Sequence, residues 1–210
     1  MKIGFQINDV HTLNFETDST LPIILESQKR KNKNYCFLPS SITYKNNVVY
    51  AEIREIYFKN GKIGKYTLGK LQLVSLETLN YIFIRQDPPY NMEYISSMHL
   101  LEQVKGTTKF INHPTGIRNA PEKISMLNFK KIIPPTIITR SKNEVDLFVK
   151  KHGKSVIKPL YGNGGESIFL LNKKDENYNQ ITERLIDQCN EPFIVQKFLS
   201  DIKNGDKRII

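Results

Sequence analysis

The stretch from Lys158 to Gly165 contains the residue types best suited to holding an anion. Lys158 ends an apolar run, and Gly162, Gly164 and Gly165 follow it before the next apolar run. Glycine lets backbone N–H groups turn towards an anion without a clash from a Cβ atom, and a lysine adds a compact positive charge. The loop joins two predicted strands, whereas Walker and Rossmann phosphate loops lead into a helix. We interpret it as a hairpin that covers a phosphate; an ordinary glycine-rich hairpin with a surface lysine is the alternative.

Two further segments, near the end of the chain, place polar groups beside apolar runs. Residues 193–199 predict a strand, and an edge of that strand with free N–H and C=O groups is suited to pairing with an adenine ring. Residues 205–208 place paired cations at the start of a new apolar run. Taken alone, each segment favours the plainer interpretation, a core strand for the first and a turn with solvated charges for the second.

A third polar segment follows a nearly continuous apolar run at residues 81–84 and consists of Arg85, Gln86, Asp87, Pro88, Pro89 and Tyr90. The run predicts a central strand of a parallel sheet, and ligands of open α/β sheets bind outside the carboxyl ends of such strands. Arg85 can grip a carboxylate through two parallel hydrogen bonds, and the prolines stiffen the loop that carries it. The segment therefore predicts a carboxylate site, with a rigid structural turn as the alternative.

The elements that must position these residues alternate between strand-like and helix-like patterns, which predicts an α/β protein. We expect an opening strand at residues 2–7, a hairpin formed by residues 48–58 and 66–76, and a helix that starts at the capping box of residues 141–144. Prolines and glycine at residues 113–116 and the pair at 120–121 predict a break in regular structure. We therefore place a domain boundary within residues 112–122.

The composition excludes several classes of protein. The 210 residues carry 31 Lys and Arg against 21 Asp and Glu, a net charge of +10, and 39% of them are hydrophobic. These values exclude a disordered tail, a collagen-like fibre and a coiled coil, and no apolar stretch is long enough for a membrane span. Two distant cysteines and no signal-peptide pattern predict a cytoplasmic protein. A basic nucleic-acid-binding module stays an alternative, although the lysines are scattered and no aromatic–basic RNA-binding motif occurs.

Taken in order, the motifs of the chain resemble bacterial glutathione synthetase, a family of ATP-grasp ligases. The resemblance covers all 210 residues, and the Arg-x-Asp-Pro-Pro stretch separates this family from other ATP-grasp ligases. The motifs that carry it are residues 85–89, Asn112-x-Pro114, Pro121-Glu122-Lys123, Lys158-Pro159 with its glycine loop, residues 196–199 and residues 205–208.

The resemblance implies a fold and an activity. It implies a Rossmann-like N-terminal substrate-binding domain, a pre-ATP-grasp domain, at residues 1–120, and the first part of an ATP-grasp fold at residues 121–210. The family joins γ-glutamylcysteine to glycine, converts ATP to ADP and phosphate through an acyl phosphate, and uses Mg²⁺ or Mn²⁺. It also implies homo-oligomeric full-length relatives, with no nucleic-acid or membrane partner. Another ATP-grasp carboxylate–amine ligase is the nearest alternative function.

The resemblance also implies roles for individual residues. Arg208 and Lys158 would be catalytic, and Arg85, Asp87, Pro88 and Pro89 would hold γ-glutamylcysteine. The residues that would bind ATP are Lys123, Lys158, Gly162, Gly164, Gly165, Gln196, Lys197, Leu199 and Asp206.

The sequence departs from the family pattern at its end. The chain stops at Ile210, where an apolar strand begins, and the family segment that supplies metal ligands has no match. We therefore name no metal ligand within the chain and expect a fragment, or a shortened gene product, that is inactive alone because phosphoryl transfer needs the metal.

Overall fold

The computed structural model describes residues 1–162, 165, 167–188 and 190–207. The chain folds into two compact units, Met1–Ala120 and Pro121–Ile210, and each unit is described by itself. None of the helices in the described ranges is long and apolar enough to cross a membrane.

The first unit mixes helices and strands along the chain, as its alternating patterns predict. Its elements in order are β1 (Lys2–Gln6), α1 (Thr20–Lys29), β2 (Lys33–Phe37), β3 (Ile42–Lys45), β4 (Val48–Phe58), β5 (Tyr66–Leu68), β6 (Gln72–Ser75), β7 (Tyr81–Ile84), α2 (Met92–Leu101), β8 (Lys109–Ile111) and α3 (Pro114–Asn119).

One sheet organises the first unit, with strand order β3-β4-β2-β1-β7-β8 and with β5 and β6 paired to β4. Strands β2, β1, β7 and β8 are parallel, and β4 runs antiparallel to β2. From β1 the chain moves to β2 on one side, and β7 lies on the other side. The strand order therefore reverses between β1 and β7, which is where open α/β sheets bind ligands.

Apolar residues on both faces of the central strands form the core of this unit. Phe5 of β1 is fully buried and stacks on Phe83 of β7, with ring centroids 5.0 Å apart. On the opposite face, the absence of a side chain at Gly4 lets Leu79 pack closely against β1, since a Cβ atom on Gly4 would lie 2.7 Å from Leu79 Cδ1. Burial on both faces explains why β1 and β7 read as nearly continuous apolar runs.

Local contacts set the helix boundaries in the first unit. Asp18 caps α1, because its Oδ1 accepts hydrogen bonds from the N–H groups of Thr20 and Leu21 at 2.7 and 2.9 Å. Helix α2 ends at Leu101. The expected break at residues 113–116 is wrong, because Pro114 occupies the first turn of α3, where its missing N–H does no harm.

The second unit is a smaller antiparallel sheet against which helices pack. Its elements are α4 (Glu122–Ser125), β9 (Thr136–Thr139), α5 (Lys142–His152), β10 (Ser155–Pro159), β11 (Phe169–Leu171), α6 (Tyr178–Gln188) and β12 (Phe193–Lys197), with strand order β11-β10-β12-β9. Half of the predicted capping box is present, since Ser141 Oγ accepts from the Glu144 N–H, whereas the Ser141 N–H donates to Thr139 Oγ1 at 2.9 Å. Gly153 ends α5 with φ of +75°.

The sheet places β12 between two partners, which corrects the expected free strand edge. Ile194 and Gln196 pair with Lys158 and Val156 of β10 on one side and with Ile138 and Thr136 of β9 on the other. The Phe198 N–H also donates to the Lys154 carbonyl, at 2.9 Å. The backbone of β12 is therefore not available to an adenine ring.

A carboxylate on α5 joins three segments of the second unit. Asp146 accepts hydrogen bonds from Lys173 at 2.6 Å, from the Tyr178 hydroxyl at 2.7 Å and from Lys142 at 3.4 Å. Burial alone would raise the pKa of Asp146, but these three hydrogen bonds hold it below its ordinary value. This cluster ties α6 and the segment after β11 to α5.

Replacing Asp146 tests this tie. Because the pKa of Asp146 is depressed in the folded state, its contribution is present above the unfolded pKa of about 4 and is lost as the pH falls through the folded pKa. We expect Asp146→Asn to lower the unfolding free energy by about 1 kcal/mol at pH 7, with the difference from wild type vanishing at the acid end of the titration. Urea unfolding across pH measures this. The control is Asp187→Asn on α6, whose exposed carboxylate makes no ion pair to a described residue; an equal loss there would contradict the role of Asp146.

Candidate active site

Arg85 lies directly after β7, and two nitrogens of its guanidinium donate hydrogen bonds within the protein. Its Nε donates to Thr20 Oγ1 at 3.0 Å and its Nη2 donates to Ser19 Oγ at 2.6 Å, so it links the sheet to the start of α1. The backbone N–H of Arg85 donates to the Gln6 carbonyl at 2.8 Å, which continues the hydrogen bonding between β7 and β1. Guanidinium has five N–H donors, and Arg85 is exposed, so further donors remain for an anion.

A crevice of about 330 Å³ lies at the carboxyl ends of β1, β2 and β7. Asp87, Pro88 and Pro89 line it as the sequence predicts, whereas Arg85 does not. Sequence reasoning missed Asn8 and Asp9, which also line it. The sequence contained the information needed to find Asn8 and Asp9. Polar residues directly after a buried parallel strand lie at the edge of the sheet where ligands bind. The ionisable lining residues are all acidic: Asp9, Asp87 and Glu93.

A buried amide network borders this crevice. Gln6 is fully buried, and its Nε2 donates to Gln86 Oε1 at 3.2 Å. Ser97 Oγ donates to the same Gln86 oxygen at 3.0 Å, and Gln86 lines the crevice. Gln6 Oε1 has no hydrogen-bond partner among the described residues. Such orphaned buried atoms are rare and destabilising in folded proteins, so the network fixes Gln86 while leaving one oxygen unsatisfied.

In the second unit, Lys123 holds the base of the glycine loop. Its Nζ donates to the carbonyl oxygens of Pro159 and Gly162, both at 2.6 Å. Burial lowers the pKa of Lys123, and the positive charge of Lys158 lowers it further. Two closely placed ammonium groups at the start of a glycine loop form a site that favours an anion.

Strand register brings Lys158 and Gln196 to one face of the second sheet. Directly opposed residues of an antiparallel pair share a face, and Lys158 and Val156 are two residues apart, so the Val156–Gln196 pair lies beside Lys158. The Gln196 amide donates to Thr136 Oγ1 at 3.0 Å on the same face. Lys197 lies on the opposite face and is exposed.

The remaining predicted ATP residues fall into three groups. Leu199 and Asp206 lie beyond β12, flanking the 3₁₀ turn Ser200–Asn204, and both are exposed. Gly165 has φ of +79°, a conformation that favours glycine, and a Cβ atom on Gly162 would approach Pro159 Cβ to 3.2 Å. Gly164 and Arg208 lie outside the described residues.

The part of the chain that the structure describes contains no ready-made cluster of metal ligands. Within it, no three His, Cys, Asp or Glu side chains come together as metal ligands. We therefore assign no ligand of a Mg²⁺ ion to these residues.

Comparison with known proteins identifies the family. Residues 1–118 match the N-terminal domain of prokaryotic glutathione synthetase, and residues 122–210 match the ATP-grasp domain of the same family. The chain belongs to the prokaryotic glutathione synthetase family. It is 35% identical to the glutathione synthetase of Rhodopseudomonas palustris and 38% identical to that of Brucella melitensis, in each case over 210 residues. It spans about two thirds of the length of these relatives, 67% in both.

Solved structures support the fold of this glutathione synthetase family member. The chain superposes on a RimK domain ATP-grasp protein from Sphaerobacter thermophilus with a TM-score of 0.59, at 13% identity, covering 95% of this chain and 64% of the other. D-cycloserine synthetase DcsG gives a TM-score of 0.60 at 13% identity, covering 96% and 61%. The ATP-grasp ligase PsnB, solved with a minimal precursor, Mg and ADP, gives 0.52 at 14% identity, covering 95% and 65%. The predicted α/β class with an ATP-grasp fold is confirmed.

Removing the Lys123 ammonium tests its hold on the glycine loop. We expect Lys123→Met to expose the Pro159 and Gly162 carbonyls, since hydrogen bonds from charged donors contribute about 1.5–3 kcal/mol. Hydrogen–deuterium exchange at residues 160–162 should quicken by about 10-fold or more. Lys130→Met is the matched control, because Lys130 is exposed and close in sequence. Unchanged exchange in the Lys123 variant would show that the loop is held by other contacts.

Proposed function

We propose that the complete protein joins γ-glutamylcysteine to glycine in a reaction driven by ATP. The observation that carries this is the similarity to glutathione synthetases along the whole chain, across both domains of the family. The γ-phosphoryl group of ATP passes to the cysteinyl carboxylate, and ADP leaves. The glycine amine then attacks the acyl carbon, phosphate departs, the amine loses a proton, and an amide bond remains.

The two units divide this work. Residues 1–120 bind γ-glutamylcysteine, and residues 121–210 form the first part of the ATP-grasp domain. The acidic crevice of the first unit supports the former assignment, because it can hold an ammonium group of a peptide. The neighbouring ammonium groups of Lys123 and Lys158 support the latter, because a triphosphate is an anion. A separate protein nucleophile is not required.

The ATP assignments follow the geometry of the second unit. Lys123 and Lys158 contact the phosphates, and the loop with Gly162, Gly164 and Gly165 covers them and excludes water. Gln196 shares a face with Lys158, so the nucleotide lies along that face. Because the β12 backbone is already paired, the adenine meets the segment after the strand, including Leu199. Asp206 and Arg208 complete the site, at the ribose and the transferring phosphate respectively. Lys197 adjoins the adenine pocket only through its main chain, because its side chain lies on the opposite face of the sheet.

Catalysis then rests on position and charge. Phosphoryl transfer spreads negative charge over the equatorial oxygens, and cationic donors fixed beforehand stabilise that charge. Mg²⁺ or Mn²⁺ accompanies ATP in this chemistry, but the described residues offer no ligand set for it, so no step is assigned to the metal here.

Arg85 contributes to the peptide side of the reaction. Its guanidinium is anchored by Ser19 and Thr20 and retains donors for a substrate carboxylate, while Asp87, Pro88 and Pro89 form the wall of the adjoining crevice. We also propose that the reaction takes place in the cytoplasm, consistent with Cys36 being a free, buried thiol.

Loss of the Lys158 ammonium should impair the chemical step. We expect Lys158→Ala in the full-length protein to reduce kcat by about 10²–10³-fold, as removal of one transition-state donor does. ADP release coupled to γ-glutamylcysteine, glycine and Mg²⁺ measures it. Lys154→Ala is the control, because Lys154 is exposed and four residues earlier on the same segment. Absence of wild-type turnover with glycine, together with turnover on another amine, would assign the chain to a different carboxylate–amine ligation.

Arg85 should affect one substrate more than the other. We expect Arg85→Ala to raise KM for γ-glutamylcysteine by about 10-fold or more while KM for ATP changes little, because binding of one substrate alone is lost. Ser19→Ala removes one of the two structural contacts of the Arg85 guanidinium without removing its charge, so that variant separates anchoring from substrate binding. Equal rises in both KM values, or the same rise in Ser19→Ala, would contradict substrate contact by Arg85.

A further inference from the structure

Tyr90 ends the turn that walls the crevice, but it does not line the crevice itself. Its neighbours Pro89 and Asn91 both do. The Tyr90 ring is half-buried, and its hydroxyl donates a hydrogen bond to the backbone carbonyl of Arg118 on α3, 28 residues further along the chain. The side chain of Tyr90 therefore connects the turn to a helix that lies outside the crevice lining.

Helix α3 needs such a contact at its end. It consists of the six residues Pro114–Asn119, and the last four carbonyl groups of an α-helix have no partner within the helix. The Ala120 N–H donates to the Ile117 carbonyl at 3.4 Å, and the Tyr90 hydroxyl satisfies the next carbonyl, that of Arg118. Tyr90 therefore caps the carboxyl end of α3.

The side chains of α3 are held by a different contact. Arg118 donates from Nε and Nη2 to Glu102 Oε1, at 3.0 and 2.9 Å, directly after the end of α2. Burial alone would raise the pKa of Glu102, but hydrogen bonds from Arg118 and Thr115 hold it below its ordinary value. The Glu102 carboxylate is therefore ionised at pH 7, and it fastens α3 to α2 without involving the turn.

The turn itself is exposed, so the contacts at its two ends determine where it lies. At its start, the Asp87 N–H donates to Asn8 Oδ1 at 3.3 Å, which ties it to the segment after β1. At its end, the Asn91 N–H donates to the Pro89 carbonyl at 3.1 Å, and the Tyr90 hydroxyl reaches α3. The turn is therefore suspended between the segment after β1 and the end of α3.

We propose that Tyr90 is a positioning residue that couples peptide binding at the turn to the order of α3. This inference rests on the proposed function, because it takes γ-glutamylcysteine as the ligand of the turn. A peptide that holds the turn also holds the Tyr90 ring, so the hydroxyl loses less freedom when it donates to the Arg118 carbonyl. Such coupling is reciprocal, since the stability that the peptide adds to the cap returns as affinity for the peptide.

The place of α3 in the chain gives this coupling a use. Ala120 follows α3 directly and is the last residue of the first unit. The chain therefore leaves the first unit from the helix that Tyr90 caps. When peptide occupies the turn, the point at which the chain leaves the first unit becomes fixed.

Hydrogen–deuterium exchange of the full-length protein tests the coupling, with γ-glutamylcysteine as the probe and without ATP. In the wild type we expect saturating peptide to slow exchange of the amides of residues 117–120 by about 5-fold, the effect of one ordinary hydrogen bond. Tyr90→Phe keeps the ring and removes the hydroxyl. In this variant we expect faster exchange without peptide and no slowing with it. Its KM for γ-glutamylcysteine should rise by about 5-fold while its KM for ATP stays unchanged.

Two variants distinguish this coupling from a purely structural effect. Tyr94→Phe removes the hydroxyl of the ring that packs against Tyr90, with centroids 5.2 Å apart, and that hydroxyl makes no hydrogen bond to α3 among the described residues. Glu102→Gln loosens α3 from α2 but leaves the Tyr90 cap in place. We expect peptide to slow exchange at residues 117–120 in both variants, even though Glu102→Gln raises the rate without peptide.

Retained slowing in Tyr90→Phe, or its loss in Tyr94→Phe or Glu102→Gln to the same extent, would overturn the proposal. Calorimetry with γ-glutamylcysteine separates this inference from the proposed function. A wild-type protein that binds the peptide without any slowing at residues 117–120 overturns this inference alone. A wild-type protein that does not bind the peptide overturns the proposed function and this inference together.

Discussion

The contact on which the second unit depends is that of one ammonium group with two backbone carbonyls. Lys123 Nζ, at 2.6 Å from both the Pro159 and Gly162 oxygens, connects α4 to the start of the glycine loop. Lys123 is partly buried, and removing a cation from water is costly unless its donors are satisfied. These carbonyls accept from the ammonium group, which has three N–H donors. The same arrangement places Lys123 beside Lys158, and the mutual repulsion of two ammonium groups is relieved when an anion lies between them. The position of the Lys123 ammonium group therefore affects both the geometry of the glycine loop and its affinity for an anion.

The first unit positions its groups by a different device. Parallel strands end at a common edge, so the residues after β1, β2 and β7 meet although they are distant in sequence. The hydrogen bonds of Gln6 and Ser97 to Gln86 then hold part of that edge in place. In the second unit the antiparallel register of β10 with β12 puts Lys158 and Gln196 on one face. One sheet thus gathers the candidate site residues at strand ends, and the other gathers them across strands.

Local patterns predicted much of this arrangement and failed where a distant partner decides. The strand at residues 81–84, the cap at Ser141 and the hairpin between β10 and β11 were predictable, because apolar runs, capping boxes and glycine loops act within a few residues. The free edge of β12 was not, because its loss depends on pairing with Thr136 and its neighbours, some 60 residues away. The hydrogen bonds of Lys123 to two carbonyls could not be predicted for the same reason, since their acceptors lie 36 and 39 residues away. Helix α3 was missed because Pro114 terminates one helix as readily as it begins another.

Net charge is a poor guide to either candidate site, and placement explains why. Residues 1–120 carry 15 Lys and Arg against 10 Asp and Glu, and residues 121–210 carry 16 against 11, so both units have the same net charge of +5. Yet the crevice of the first unit is acidic, and the loop of the second unit is flanked by two lysines. Since exposed charges are screened over about 10 Å, a ligand responds to the few charges that line its own cavity. A basic chain can thus carry an acidic crevice on one unit and a cationic loop on the other.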